Sequence, residues 1–429
     1  MLAGTNPRRV AVIGGMRIPF ARGHGAYANV GNQQMLTAAL QALVARFQLQ
    51  GVTLGEVAAG AVMKHSSQWN LTRESLLDSG LSPETPGLDL QRACGTSLET
   101  AILVGNKIAL GQIDAGIAAG VDTVSDPPVV FPRSFQQLLL QSYRAKGALA
   151  RIAPFLRVRP RHFRPVLPGT TEPRTGLSMG ESTELMVKHW GISRLDQDQL
   201  ALDSHLRAAA AYASGFYADL VQPFRGLSQD NNIRPDTTLE KLGKLRPAFD
   251  TTGSGTLTAG NSTPMTDGAA AVLLGSEEWA RQRGLPVLAW LSQVDVAAVD
   301  YFGPHPEGLL MAPAYAVPRM LARAGLRLQD FDYYEIHEAF AGQVLCTLAA
   351  WQDLQFCRDR LGLAAPLGAI DRARLNVSGG SIAIGHPFAA TGARIIATLA
   401  SRLDRSQARR GLISICTAGG MGVTAILER

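Results

Sequence analysis

Cysteine is scarce in this sequence. Its 429 residues include only Cys94, Cys346, Cys357 and Cys416. The four lie far apart except for one pair, and none has the spacing of a zinc-ligand motif. A chain of this length can bury a large core without the help of disulfides. We therefore expect reduced thiols, a cytoplasmic location and no metal site.

Long apolar runs and two familiar signatures are also missing. No stretch is long and apolar enough to span a bilayer, and the segment before Val10 lacks the apolar core of a secretory signal. The strand-like Arg9–Ile13 leads into Gly14-Gly15, which we interpret as a turn, and the glycine fingerprint of dinucleotide-binding folds does not follow. These absences predict a protein without a transmembrane helix, a secretory signal or a bound dinucleotide.

Charged residues make up only 18% of the chain, and they are unevenly placed. Residues 144–174 hold eight Lys or Arg against one acid, Glu172, a surplus larger than the net charge of +6 of the whole chain. Such a segment suits a phosphate-bearing ligand, an anionic membrane surface or another subunit, but it does not indicate nucleic-acid binding. A solvated loop is the plain alternative. Apolar side chains are interleaved with the cations, at Phe131, Leu138–Leu140, Phe155 and Leu156.

Predicted helices and strands alternate along much of the chain. The apolar spacing predicts a helix over Gln33–Phe47 and strands over Val57–Met63, Ala115–Val121 and Gly268–Gly275. Because strands that alternate with helices are typical of parallel sheets, this order favours a parallel α/β fold.

Between the last two strands the composition changes. Residues 127–246 are rich in proline and arginine and carry two amphipathic helices, Glu181–Trp190 and Asp196–Ser214, but no strand series. We interpret this segment as an inserted loop domain. The predicted division of the chain is an N-terminal half at 1–126 plus 247–278, the loop domain at 127–246 and a C-terminal half at 279–429.

The C-terminal half partly repeats the design of the first. In the first half a loop that carries Cys94 opens a helix, and a glycine-rich strand follows. In the second half the loop Gly379–Pro387 leads into a predicted helix, Thr391–Leu403, and a strand, Leu412–Cys416. This pattern predicts two like halves around a pseudo-two-fold axis, with a reactive loop from each half meeting in the middle. Chance is the alternative, because βαβ units resemble one another.

Cys94 is the candidate nucleophile. The apolar spacing after it predicts a helix with Cys94 in its first turn, where the helix dipole and free N–H groups lower the pKa of a thiol. Three more reactive side chains stand at predicted loop or strand ends, namely His337, His386 and Cys416. Two thiols and two imidazoles suit a reaction with one nucleophile and separate proton carriers. Each of them taken alone is equally compatible with a structural role.

Five segments, in this order, resemble the signatures of the thiolase family: Arg92–Ser97, Gly260–Pro264, His337–Phe340, Gly379–Arg394 and Cys416–Gly422. Two further segments resemble the thiolase β-subunit of fatty-acid-oxidation complexes: Asp230–Arg234 and Lys244–Asp250. The resemblance covers nearly the whole chain. It implies the thiolase fold, an α/β fold with two similar βαβ-type halves in five layers, α/β/α/β/α, and an inserted loop domain.

The resemblance also implies an activity, the cleavage of 3-ketoacyl-CoA by CoA in fatty acid β-oxidation. It assigns Cys94 as the acyl carrier, His386 as its base, and Cys416 as the acid for the departing enolate and the base for the incoming CoA. His337 and His386 would form one oxyanion hole, and the backbone N–H groups of Cys94 and Ala418 would form the second. Ala418 stands near where the family often has glycine, and His337 where many members have asparagine.

CoA is a substrate in this scheme, and no cofactor is implied. The resemblance places CoA contacts near Arg246 and Thr263 and implies a homodimer or higher oligomer, with a hydratase/dehydrogenase α-subunit as a candidate partner. Two alternatives stay open. One is a biosynthetic acetyl-CoA C-acetyltransferase that makes acetoacetyl-CoA with the same residues. The other is a non-catalytic CoA-ester or lipid-binding protein of this fold, against which the intact Cys94, His386 and Cys416 argue.

Overall fold

The computed structural model describes residues 7–429. Residues 1–6, which belong to the predicted N-terminal half and to the stretch judged to lack a secretory signal, lie outside the described residues. The strands are β1 Val10–Arg17, β2 Ala21–Arg22, β3 Glu56–Ala59, β4 Gly87–Asp89, β5 Ala115–Asp122, β6 Thr266–Ser276, β7 Ala289–Ala298, β8 Tyr333–Ile336, β9 Arg410–Thr417 and β10 Met421–Glu428.

The α-helices are α1 Asn32–Arg46, α2 Leu71–Leu77, α3 Thr96–Ala109, α4 Arg133–Arg144, α5 Ala148–Ile152, α6 Met179–His189, α7 Arg194–Ala213, α8 Leu239–Gly243, α9 Glu277–Gln282, α10 Ala312–Ala324, α11 Ala341–Gln352, α12 Leu354–Asp359, α13 Ser381–Ile384 and α14 Thr391–Ser406. Among the helices of the described chain, none combines the length and the apolar character needed to cross a membrane.

The strand order reveals two like halves. The strands run β4-β3-β5-β6-β1-β7-β10-β9-β8, and β2 pairs with β6. The halves meet where β1 pairs with β7, with Ala11 opposite Trp290 and Val12 opposite Ala289. Outward from this pair the order is β1-β6-β5-β3 on one side and β7-β10-β9-β8 on the other. When β2 and β4 are set aside, each half therefore places its first, last, third and second strand in the same sequence. The predicted pair of similar halves is confirmed.

The sheet is mixed rather than parallel. β3 runs parallel to β4 and β5, and β8 runs parallel to β9, but the other neighbours are antiparallel. The prediction of a parallel sheet is therefore wrong. In the C-terminal half the cause is local, because only residues 418–420 join β9 to β10, and so short a link permits only antiparallel pairing.

Helices cover both faces of each half. α3 and α14 pack together between the halves, where Leu98 and Ile396 share one core cluster with Val423 of β10. The outer face of the N-terminal half is covered by α1, whose Leu36 lies in a second cluster. The outer face of the C-terminal half is covered by α10 and α11, whose Val317 and Val344 belong to a third. The predicted α/β/α/β/α layering is confirmed, and most residues of the central pair of helices are buried between the sheet faces.

The Gly14-Gly15 pair lies inside β1 rather than in a turn, so that prediction is wrong. The strand continues to Arg17, with an irregularity in its pairing to β6 between Val12 and Gly14. A Cβ atom at Gly15 would lie 2.6 Å from the Cβ of Ala397 in α14. Glycine is needed here because the central helix approaches the strand backbone closely.

The segment 127–246 contains the two predicted helices, found as α6 and α7, and its described strand pairing consists of isolated bridges. Sequence analysis missed α4 and α5. The apolar residues of α4 do have helical spacing, but only Phe135 and Leu138 of this helix are buried, and no residue of α5 is. The segment is tied to β1 by a buried ion pair, in which Arg17 Nη1 lies 2.5 Å from Asp230 Oδ1 and Nη2 lies 2.6 Å from Oδ2. The domain boundaries remain a prediction.

Candidate active site

Cys94 lies in the turn that precedes α3. The hydroxyl of Thr96 closes this turn, since it accepts from the Arg92 N–H at 2.9 Å and donates to the Ala93 carbonyl at 2.7 Å. Ala93 has a φ of 42°, in the left-handed region that costs a residue with a side chain about 1–3 kcal/mol. The helix begins at Thr96 after its cap residue Gly95, so the prediction that Cys94 stands in the first helical turn is wrong by two residues.

His337 and His386 approach Cys94 from the C-terminal half. His337 directly follows β8, and its backbone N–H donates to the Ser414 carbonyl of β9 at 2.8 Å. His386 lies between α13 and α14, and its N–H donates to the Thr266 hydroxyl at 2.7 Å. One nitrogen of each ring and the sulfur of Cys94 lie within 4.8 Å of one another, and the ring centroids are 4.1 Å apart. The structure thus brings the predicted nucleophile and both predicted imidazoles into one cluster.

Hydroxyl groups hold the Nδ1 atoms of both imidazoles. His337 Nδ1 lies 2.7 Å from Ser381 Oγ, which also accepts from Arg394 Nη2 at 2.8 Å. His386 Nδ1 lies 2.6 Å from Thr391 Oγ1. The two Nε2 atoms are buried and find no hydrogen-bond partner in residues 7–429. They are therefore free to bind a reacting group beside the Cys94 thiol.

Low exposure to solvent favours the uncharged forms of this cluster, in which both imidazoles are buried and Cys94 is half-buried. It raises the pKa of the Cys94 thiol to about 12, so the prediction of a lowered pKa is wrong. The reason is that loss of solvent disfavours the thiolate by more than the nearby N–H groups favour it. Burial, with a contribution from the positive charge of Arg394, lowers the pKa of His386 to about 3. Burial also holds the pKa of His337 well below its ordinary value, and His386 and Arg394 add to this.

Two backbone N–H groups lie near enough to the Cys94 sulfur to lower the pKa of its thiol. They belong to Cys94 itself and to Ala418, and their hydrogen bonds act against the effect of burial on the pKa of the thiol. Ala418 lies in the three-residue turn between β9 and β10, which therefore reaches across from the C-terminal half. The structure thus brings together the two donors that the family resemblance assigned to one oxyanion hole.

Cys416 stands near the end of β9, just before this turn. Its side chain is 1% exposed and belongs to an apolar cluster with Met311 and Phe340. Burial raises its pKa well above the ordinary value, and the nearby Cys94 contributes. Cys416 therefore adjoins Cys94 as a neutral thiol, although it is not part of the group formed by Cys94, His337 and His386.

The two predicted CoA contacts lie outside this cluster. Arg246 is exposed on the loop that follows α8. Thr263 is half-buried, and both its N–H and its hydroxyl lie 3.1 Å from the Ala339 carbonyl, two residues after His337. Their placement leaves the assignment of a CoA site as a prediction.

Sequence reasoning missed the side chains that orient the imidazoles. Ser381, Thr391 and Arg394 lie within the recognised segment 379–394, but a motif does not reveal which of its atoms touch. It also missed the task of Glu338 beside His337. The buried Glu338 carboxylate accepts from the Ser204 hydroxyl, the Ile382 N–H and the Asn376 amide, at 2.8, 3.1 and 2.6 Å. It thereby links α7 and α13 to the loop that carries His337.

A cysteine and two histidines are also ligands that Zn²⁺ accepts, and Cys94, His337 and His386 lie close enough to be considered for it. The arrangement fits a different chemistry directly, in which a neutral imidazole takes the proton of a thiol as the sulfur attacks a carbonyl carbon.

Two family models match the chain, "Thiolase, N-terminal domain" over residues 10–278 and "Thiolase, C-terminal domain" over residues 286–429. The chain belongs to the thiolase family. The expected membership is confirmed, and with it the class of enzyme, an acyltransferase. A curated relative, "3-ketoacyl-CoA thiolase" of Yersinia pestis (strain Pestoides F), is 40% identical over 426 residues, covering 98% of this chain and 97% of the relative.

Solved structures of this family superpose on almost the whole thiolase chain. The acetyl-CoA acetyltransferase of Bacillus anthracis matches with a TM-score of 0.82 and 29% identity, covering 99% of this chain and 100% of that one. The human mitochondrial 3-ketoacyl-CoA thiolase matches with a TM-score of 0.80 and 28% identity, covering 98% and 99%. A structure of the human protein in complex with CoA matches equally well, at a TM-score of 0.80.

Proposed function

We propose that this thiolase is a 3-ketoacyl-CoA thiolase of fatty acid β-oxidation, which uses CoA to cleave 3-ketoacyl-CoA into acetyl-CoA and a shortened acyl-CoA. One observation carries the proposal: the Cys94 thiol contacts two N–H donors and lies beside two imidazoles with unpaired Nε2 atoms. The identity of 40% with a relative named for this activity supports the choice of substrate. The human relative in complex with CoA supports CoA as the second substrate.

In the first half of the reaction, the sulfur of Cys94 attacks the 3-keto carbon while His386 Nε2 takes the thiol proton. The tetrahedral adduct then collapses. The bond between C2 and C3 breaks, its electron pair forms the enolate of acetyl-CoA, and the acyl group stays on Cys94. The Cys416 thiol protonates the enolate carbon. A buried neutral thiol suits this step because burial raises its pKa toward that of the much weaker carbon acid.

In the second half, the Cys416 thiolate takes the proton of the incoming CoA thiol. The CoA sulfur attacks the acyl group on Cys94, and the shortened acyl-CoA leaves. The departing Cys94 sulfur receives its proton back from His386. Both thiols and the imidazole thus end in the neutral state in which they began, which is the state that burial favours in the free protein.

The hydroxyl contacts support different tasks for the two histidines. Ser381 Oγ accepts a hydrogen bond from Arg394, so its own proton can be donated to His337 Nδ1, which leaves the ring proton on Nε2 as a donor to the enolate oxygen. Thr391 Oγ1 can donate to the Pro387 carbonyl at 3.4 Å and accept from His386 Nδ1–H. His386 Nε2 then lacks a proton and serves as the base. The N–H groups of Cys94 and Ala418 stabilise the tetrahedral adduct.

CoA itself would approach over the loop domain. We assign its contacts to Arg246 and Thr263. Arg246 is an exposed cation, and the Thr263 hydroxyl donates to the carbonyl of Ala339, which lies two residues after His337. An exposed guanidinium suits a phosphate, which it binds with two parallel hydrogen bonds. No cofactor takes part in this scheme, since every proton transfer is supplied by the chain.

The assay for this function is thiolysis of a series of 3-ketoacyl-CoA esters, from short to long acyl chains, with Cys94→Ser as the matched variant. The wild-type protein should release acetyl-CoA, and mass spectrometry should find the acyl group on the peptide that contains Cys94. Cys94→Ser should keep its fold and lose turnover. An acyl group on Cys416, or activity in Cys94→Ser, would contradict the mechanism. Net condensation of acetyl-CoA with no cleavage of longer substrates would favour the biosynthetic alternative.

A second copy of the chain is the proposed partner along β4. This strand is the edge of the sheet, its pairing is to β3 alone within the described residues, and Leu88 at its centre is 37% exposed. An edge strand presents unpaired backbone groups that another chain can extend. Cys94 follows five residues after Asp89, the last residue of β4, so a homodimer there would also shield the nucleophile.

The basic apolar surface, defined as the exposed residues of 129–167, is the proposed contact with an anionic membrane. None of the eight cations of 144–174 forms an ion pair with the described part of the chain. Leu149 and Leu156 are 87% and 85% exposed among them. Cations interleaved with exposed apolar side chains suit a negatively charged lipid surface.

Four free cysteines support the cytoplasm as the compartment.

A further inference from the structure

Glu172 is the one acid of the basic segment 144–174, and unlike the cations around it, it is buried, with 7% of its surface exposed. A tight turn fixes its backbone. The Glu172 N–H donates to the Leu177 carbonyl, and the Gly176 N–H donates to the Glu172 carbonyl, both at 2.8 Å. The turn leads directly into α6. The side chain is therefore held at a defined position on the inner side of the inserted segment.

The carboxylate bridges the insert to the turn between β9 and β10. Its Oε1 atom accepts from the Gly419 N–H at 2.9 Å, and its Oε2 atom accepts from the Tyr301 hydroxyl at 3.2 Å. The Tyr301 ring lies against Gly420, where a Cβ atom would stand 2.6 Å from the ring. The insert and Tyr301 thus enclose the turn from two sides. Gly419 directly follows Ala418, whose own N–H points at the Cys94 sulfur.

We propose that Glu172 is a positioning residue for thiolysis, which holds the Gly419 amide and so keeps the neighbouring Ala418 N–H aimed at the oxyanion formed on Cys94. The inference rests on the proposed function, because the Ala418 N–H has a catalytic task only if an oxyanion forms there. Gly419 and Gly420 have φ values of 76° and 70°, a conformation that glycine leaves easily, so the turn needs an external contact to stay fixed. Glu172 supplies that contact from a segment 247 residues away.

The carboxylate also acts on the thiol through its charge. Burial is the main cause of the raised pKa of Cys94, and the negative charges of Asp122 and Glu172 add to it. Two substitutions separate the two effects. Glu172→Gln removes the charge but keeps an oxygen that can accept from Gly419. Glu172→Ala removes both. Glu240→Ala, an exposed acid in the same insert, is the control for a change of acid to alanine.

Steady-state kinetics with 3-ketoacyl-CoA provide the first readout. Loss of a single oxyanion donor lowers kcat about 10²–10³-fold. Glu172→Ala leaves the Ala418 N–H in place but less well aligned, so it should lower kcat by about tenfold or more and change KM by less than about threefold. Glu172→Gln should stay within about threefold of the wild type, because the amide oxygen accepts the same hydrogen bond. Tyr301→Phe, which frees one side of the carboxylate, should lower kcat in the same direction by a smaller factor. Thermal unfolding checks that each variant is folded.

The second readout needs no substrate and therefore does not depend on the proposed function. Iodoacetamide should alkylate Cys94 faster in Glu172→Gln than in the wild type at the same pH, because one opposing charge is gone. Glu172→Ala should react more slowly than Glu172→Gln, because the thiolate also loses the aligned Ala418 N–H. Equal kcat in Glu172→Ala and wild type, equal loss in the Ala and Gln variants, or a change confined to KM would overturn the inference. A wild-type protein without thiolysis would refute the proposed function alone.

Discussion

In the free protein, Cys94 should react as a neutral thiol rather than as part of a thiolate–imidazolium pair. Burial raises its pKa from an ordinary value of 9.0 to about 12, and it lowers the pKa of the candidate base, His386, from 6.5 to about 3. The rise for the thiol corresponds to about 4 kcal/mol against the thiolate, at about 1.4 kcal/mol for each pH unit. A proton therefore moves from Cys94 to His386 only when a carbonyl carbon is present to receive the sulfur.

The assay is the rate at which iodoacetamide alkylates Cys94 as pH is raised, read by mass spectrometry on the peptide that contains it. Since the thiolate is the reactive form and its fraction is far below one, the rate should rise about tenfold per pH unit between about pH 7 and 9. The rate rises with pH because the pKa of Cys94 is raised to about 12. Well below that pH nearly all of the thiol is protonated, and each increase in pH raises the fraction of thiolate. No plateau should appear near neutral pH.

The matched variant for this experiment is His386→Asn. It should abolish thiolysis, because the proposed base is gone, yet it should leave the dependence of alkylation on pH nearly unchanged, because His386 does not hold a thiolate in the free protein. A plateau of the rate below about pH 8 that disappears in His386→Asn would refute this reasoning, since that result requires a preformed ion pair. Cys94→Ser shows the background from the other thiols.

Three further predictions concern the rest of the molecule. Cys416→Ala should slow the exchange of the acetyl-CoA α-protons with solvent more than it slows acylation of Cys94, and equal losses would make Cys416 merely structural. Ser381→Ala should lower kcat about tenfold with little change in KM, since a hydrogen bond to a charged group or to a developing charge is worth about 1.5–3 kcal/mol. Ser381→Thr should restore activity. Unchanged kinetics in Ser381→Ala would reject the proposed tautomer of His337. Replacing four cations of the basic apolar surface by Gln should weaken salt-sensitive binding to anionic vesicles by about 1 kcal/mol per cation and leave KM for CoA unchanged. A large rise in KM for CoA would assign the four cations to substrate binding, lost binding to an α-subunit would assign them to protein docking, and no change would leave a solvated loop. The four cations are Arg151, Arg157, Arg159 and Arg161, and the control is the same change at exposed Arg281, Arg283, Arg327 and Arg358.

Much of the order of elements and the candidates Cys94, His337 and His386, which the structure brings together, could be predicted from the sequence because each depends on a short stretch of residues. The apolar run at 115–121 forms the buried strand β5. The loop at 379–387 places His386 shortly before α14 and beside Cys94. The mirrored halves were foreseen for the same reason. The same loop–helix–strand pattern of apolar residues occurs in both halves, and in each half the helices and strands must bury the same faces.

What the sequence could not predict depends on distant residues. Gly14 and Gly15 were interpreted as a turn because glycine usually marks one. They are required instead by close neighbours, since a Cβ at Gly14 would meet the Phe47 ring and one at Gly15 would meet Ala397 of α14, far along the chain. The pKa of Cys94 was misjudged for a similar reason. The helix dipole is a local signal, but the loss of solvent that overrides it depends on residues of the C-terminal half, among them His337, His386 and Ala418.

Burial of the whole cluster has one more consequence for the reaction. The same loss of solvent that raises the pKa of Cys94 and lowers that of His386 also strengthens every hydrogen bond that forms to a new negative charge in the site. Before the substrate arrives, this environment keeps the thiol protonated and slow to react with oxidants or electrophiles. Once the sulfur attacks a carbonyl, the charge moves to an oxygen that the N–H groups of Cys94 and Ala418 can reach. The environment that suppresses the free thiolate therefore favours the tetrahedral adduct, and reactivity is confined to a bound thioester substrate.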